Sequence, residues 1–107
     1  MTEFNALTIK IAEKIAEYLA LLTQLDVKSP PEFFRRANQL SWELAMILPE
    51  EIYLEIAIAA TNSGTEHNHC TAIILARKAM LGVVAGKLSP DHIVGHSPKA
   101  GNKTSDN

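Results

Sequence analysis

An all-α fold is predicted for this 107-residue chain: a compact bundle of four main helices, a short C-terminal helical turn and a disordered tail. Three observations predict it. Apolar residues recur at spacings of three and four along most of the chain, as they do on one face of an α-helix. Proline and glycine punctuate those periodic stretches at the places where helices start and stop. The segment PEEIYLEIAIAATN, residues 49–62, is apolar nearly all round at helical phasing, which suits a helix with neighbours on several sides.

That central segment deserves its place by its composition. Ile52, Ile56 and Ala59 make one stripe, Tyr53 and Ala60 extend it, and Leu54, Ala57 and Ile58 fill the back. Only Glu51 and Glu55 form a coherent charged edge. Ile52, Leu54, Ile56 and Ile58 also alternate as a strand would, but the Pro-Glu-Glu opening and the alanines favour a helix.

The first helix is expected over residues 3–25, with Thr2 as N-cap. Phe4, Leu7, Ile11, Ile15, Tyr18, Leu22 and Leu25 share one stripe. A second stripe of Ala12, Ala16 and Leu19, edged by Ala20, widens the apolar arc, so two neighbours are expected and one can approach closely. A turn follows at residues 26–29. Ser29-Pro30-Pro31-Glu32 then reads as a helix start, with a serine cap, Pro30 at the first helical position and Glu32 completing a capping box. The second helix runs to residue 48 with a core stripe of Phe33, Ala37, Leu40, Leu44 and Ile47.

Leu48-Pro49 forces a corner, since a residue before proline avoids helical dihedrals. After the central helix, Gly64 is expected as a left-handed terminator, and Thr65 as the cap of a fourth helix over residues 66–85, closed by Gly86. Ile73, Ala76, Met80, Val83 and Val84 form its expected core face. Ser89-Pro90-Asp91 starts one further turn through residue 93. Residues 1–94 therefore read as a single helical domain, and residues 95–107, with little apolar side chain to pack, as a flexible tail.

Composition narrows the function classes. The core must be aliphatic, because 47% of residues are hydrophobic and only 6% aromatic. Ten Lys+Arg against twelve Asp+Glu give a net charge of −2, which makes no basic field for nucleic acid or an acidic membrane. One cysteine, Cys70, excludes an intrachain disulfide and suits a reducing, cytoplasmic compartment. Charges at Glu3, Lys10, Glu13, Lys14 and Glu17 interrupt any signal-peptide pattern, and no apolar run approaches the roughly 20 residues of a spanning helix.

Chemistry concentrates in one place, Glu66-His-Asn-His-Cys70. Continued helical phasing would put Glu66, His69 and Cys70 toward the core and turn His67 and Asn68 to solvent. Glu66 and His69 have the Glu-x-x-His spacing that di-iron bundles use twice, but here it occurs once. Zinc takes about four ligands, and His92 and His96 would have to supply the remainder. A catalytic thiol at Cys70 needs a base and an oxyanion hole, and His69 diverges from it by roughly 100° of helix rotation. No glycine-rich phosphate loop or Ser-His-Asp order is present. The expectation is a non-enzymatic chain without metal or cofactor.

The hairpin over residues 56–75 imitates a helix-turn-helix, with Gly64 at its turn and Glu66, His67, Asn68 and Thr71 at the exposed start of its second helix. Phosphate-binding cations are missing there, for Arg77 and Lys78 come more than two turns later. Trp42 is the oddest placement in the chain. It lies opposite the core stripe of the second helix and shares that face with Arg35 and Met46. Either a second intrachain neighbour covers it, or it anchors a contact with another protein, since Trp, Arg and Met are enriched at interface cores. The favoured expectation is a small protein–protein interaction module, self-associating, that serves as adaptor or regulator, with Arg35, Trp42 and Met46 on its interaction surface. The alternatives are a helix-turn-helix DNA-binding regulator and a metal or thiol sensor at Glu66, His69 and Cys70.

Overall fold

The computed structural model describes residues 6–96. Four α-helices follow one another, α1 Ala6–Leu22, α2 Pro31–Ile47, α3 Glu50–Thr61 and α4 His69–Leu81, then two 3₁₀ turns, Gly82–Ala85 and Pro90–His92. The fold is an all-α bundle. Thr2, Phe4 and residues 97–107 of the expected tail lie outside the described residues.

Each helix sits where its local chemistry allows. The turn after α1 is built by Asp26, whose Oδ1 accepts from Lys28 N at 2.8 Å and whose own N–H donates to Ser29 Oγ at 3.0 Å. Ser29 is thus spent on the turn and does not cap α2. Pro30 takes the N-cap position in extended conformation, φ −60° and ψ 149°, and Pro31 opens the helix. The one-residue shift from the expected start has a steric cause: Pro31 keeps the residue before it out of the helical region. The same rule makes the α2–α3 corner, where Leu48 is extended (ψ 147°) ahead of Pro49.

α4 is shorter than its apolar pattern at both ends. Asn68, not Thr65, is the N-cap: its Oδ1 accepts from Cys70 N at 2.9 Å and Thr71 N at 3.2 Å, while Thr71 Oγ1 accepts from Asn68 N at 2.8 Å. This reciprocal pair satisfies orphan amides that Thr65 could reach only if the helix began a turn earlier. Gly64 is not left-handed. The positive-φ glycines among the described residues are Gly82 at 61° and Gly86 at 72°. Gly82 breaks the α-helical phase, so Val83 and Val84, expected in the core, stand 91% and 60% exposed.

The core is one aliphatic cluster with Leu40, Leu44 and Ile56 fully enclosed, joined by Ile15, Leu19, Ile52 and Ala72. α1 packs chiefly on α2 and α3 chiefly on α4, with further contacts of α1 to α4 and of α3 to α1 and α2. The central segment thus touches the other three helices, although Leu54 on its back is half exposed. Two ion pairs align α1 with α2, Lys14 Nζ to Glu43 at 2.9 Å and a two-pronged contact of Arg36 with Glu17 at 2.8 and 2.6 Å. Hydrogen bonds from Arg36 and from Lys14, respectively, hold the Glu17 and Glu43 carboxyls below their ordinary range. Ser41 and Tyr53 share a hydrogen bond of 3.0 Å between α2 and α3. No helix among the described residues is long and apolar enough to cross a membrane.

Candidate functional site

α2 meets α1 and α3 but not α4, and this leaves its outer side uncovered. Ala37, Leu40 and Leu44 are buried as the stripe requires, whereas Phe33 and Ile47, expected with them, are 43% and 46% exposed. The stripe is enclosed over its middle turns only, and the first and last turns of the helix overhang the neighbours. Around the helix from that stripe stand Trp42, 65% exposed, and Met46, 77% exposed. Arg35, one face with them, is also exposed and forms no ion pair among the described residues. Phe34, Asn38, Trp42 and Met46 step by four along one ridge of α2, the geometry with which helices interlock. No described element of the chain covers Trp42.

The start of α4 behaves differently from its reading as a reactive cluster. Glu66 and His69 are exposed and Cys70 is half-buried. Because α4 begins at His69, helical phasing does not extend back to Glu66, and the three do not share a core-facing side. Among the described residues no three His, Cys, Asp or Glu side chains are grouped as a metal would need. His92 is engaged locally, its Nδ1 accepting from Ser89 N at 3.1 Å.

His67, exposed as expected, and Asn68, half-buried, also build the turn. His67 Nδ1 lies 3.0 Å from both oxygens of Glu55; a carboxylate only accepts, so Nδ1 carries the proton. Thr71 Oγ1 donates to Glu55 Oε2 at 2.7 Å, and Asn68 Nδ2 donates to Gly64 O at 2.8 Å. Burial pushes the Glu55 carboxyl up, but the Thr71 and His67 hydrogen bonds and the imidazole's charge together outweigh it, and the net shift is downward. Of the four residues that the helix-turn-helix reading puts at the exposed start of its second helix, His67, Asn68 and Thr71 belong to this network and Glu66 stays outside it. The Asn-x-x-Thr spacing was the available signal for the cap. Glu55 and His67 carried no signal of pairing, being twelve residues apart.

A second apolar feature lies between α1 and α4. A groove of about 250 Å³ is walled by Ala12, Ile15, Ala16, Ile73, Ala76 and Met80, with Arg77 among its lining residues. It is the alanine stripe of α1 that opens it: α4 covers one edge, and Ala16 and Ala20 remain exposed. Arg77 Nε donates to Ala85 O at 3.2 Å, tying the groove's wall to the 3₁₀ turn.

No family model, no characterised protein and no solved structure matches the chain.

Proposed function

We propose that the chain is a small non-enzymatic helical interaction module that self-associates and serves as an adaptor or regulator of another protein, docking through Arg35, Trp42 and Met46. One observation carries this reading: the only tryptophan of the chain stands 65% exposed on a helix face that no other helix among the described residues covers. A large aromatic in water forfeits the favourable burial that such a side chain gains in a contact, and Trp, Arg and Met are the residue types enriched at interface cores. The dispersal of Glu66, His69 and Cys70, which share no side once α4 begins at His69, supports a non-enzymatic role. A protein partner suits the net charge of −2 better than nucleic acid or an acidic membrane does. A free thiol at Cys70 suits a cytoplasmic setting.

The experiment is solution mass by light scattering, together with identification of any co-purifying chain, for wild type and Trp42→Glu. The expected outcome is loss of association or release of the partner at unchanged helicity. A wild-type protein that is monomeric and partner-free, with tryptophan emission typical of full water exposure, sinks the reading.

A further inference from the structure

We propose that copies of this chain associate head to tail, the Trp42–Met46 ridge of one copy seated in the α1–α4 groove of the next. The inference rests on the docking role of the Trp42 face and names what receives it. Ridge and groove belong to different sides of the molecule, because α2 packs on α1 and α3 and never reaches α4. A copy therefore cannot fill its own groove with its own ridge. Each molecule carries one donor surface and one acceptor surface, the arrangement that generates a heterologous contact and, if the rotation does not close, an open chain.

Size and charge agree with this pairing. A groove of about 250 Å³ has room for one bulky side chain, and its alanine walls at Ala12, Ala16 and Ala76 give it depth. Trp42 supplies a bulky ring, flanked on its ridge by the pliant Met46. Beyond Met46 the chain turns into Glu50 and Glu51, both exposed and without an ion pair among the described residues. Among the groove's lining residues Arg77 is the one charged side chain. Seating the ridge brings the acidic corner of one copy toward Arg77 of the next, whose guanidinium beside the groove can also meet the indole face. Two-fold pairing of ridge on ridge can set Arg35 against the same acidic corner, but it gives the Trp42 ring no groove to enter and leaves the α1–α4 groove empty.

Complementation of two crippled surfaces tests the proposal. Trp42→Glu removes the ridge's anchor and keeps the groove. Ala16→Arg fills the groove's mouth beside Arg77 and keeps the ridge; Ala16 is exposed, and arginine is a good helix former. Circular dichroism establishes that both variants are folded, and Met46→Glu replaces Trp42→Glu if the latter loses helicity. Wild-type mass is expected to rise with concentration past two chains, and more weakly at high salt. Each variant alone is expected to be monomeric. Their equimolar mixture is expected to double in mass and stop there, one intact contact joining one copy of each. A mixture that remains monomeric, or Ala16→Arg associating like wild type, overturns the head-to-tail contact. If Trp42→Glu is monomeric in that second case, the docking role of Trp42 stands without the groove. A wild type monomeric at every concentration overturns the contact too, and the module reading then depends on a co-purified partner alone.

Discussion

Thr71 donates its hydroxyl to Glu55 across 2.7 Å and so fastens the first turn of α4 to the middle of α3. The same oxygen accepts from Asn68 N at 2.8 Å, which makes one side chain both the helix cap's counterpart and a tertiary tie. Glu55 in turn holds His67, so four residues of α3, the connecting turn and α4 share a single network.

Removing the acceptor exposes what the tie contributes. Glu55→Ala is expected to cost about 1–3 kcal/mol, the range for hydrogen bonds to a charged, largely buried group. Asn68→Ala is expected to cost about 0.5–2 kcal/mol as a lost N-cap. Urea denaturation of the two single variants and the double variant measures both, and the double variant should lose less than the sum because the groups act together. Strict additivity would show that cap and tie are independent.

Acid should act on the same carboxylate. The folded-state value of Glu55 lies below its ordinary 4.5, so its ionised form contributes stability that is complete above the ordinary value and is lost as pH falls through the lowered one. Glu17 and Glu43 shift in the same direction, but the Glu17 pair is exposed and the Glu43 pair partly so, and salt screens both. Melting temperature in moderate salt is expected to hold steady above the ordinary carboxylate value and fall below it. Glu55→Gln should flatten that fall; an unchanged acid limb counts against the network.

Ile56 is fully enclosed. Ile56→Ala is expected to lose about 2–5 kcal/mol through lost transfer energy and a residual cavity. Thermal melts decide it, and a change below about half a kcal/mol, the range of surface substitutions, would place Ile56 outside the core.

Gly82 sits at φ 61° and ψ −131°, a region essentially reserved for glycine. Gly82→Ala is expected to destabilise by about 1–3 kcal/mol. A rise in helicity with no loss of stability would instead mean that α4 can run on through the 82–85 turn.

Trp42, the sole tryptophan, reports its own burial. Its emission is expected to shift to shorter wavelength as protein concentration rises, and Ala16→Arg should abolish the shift. Emission independent of concentration contradicts a self-contact at this residue.

The residues that declared themselves in the sequence are those whose role is periodic or steric. Ala37, Leu40 and Leu44 lie on a four-and-three stripe, Leu48 precedes a proline, and Ile56 sits in a segment apolar on all sides; each is where that logic puts it. That Trp42 stands apart from the core stripe was legible as well, but whether another helix covers it was not, because the phase of one helix does not say how many neighbours it has. Periodicity is silent about what happens when a helix stops. It extended α4 back to Glu66 and on to Ala85, since neither the Asn68–Thr71 reciprocity nor the φ of Gly82 is a matter of phase. The Glu55–His67 contact was out of reach for another reason: it exists only once the α3–α4 turn has folded over.

Leu48 and Pro49, the extended corner between α2 and α3, divide the chain into two helical hairpins that each find their main partner nearby in sequence. Most of the loops to be closed in folding are therefore short, and chains of this low contact order fold in roughly microseconds to milliseconds. The corner is also the one covalent link between two halves with matching needs. At high concentration during refolding, α3 and α4 of one chain can dock on α1 and α2 of another, with every native contact preserved and only the path through Leu48-Pro49 changed.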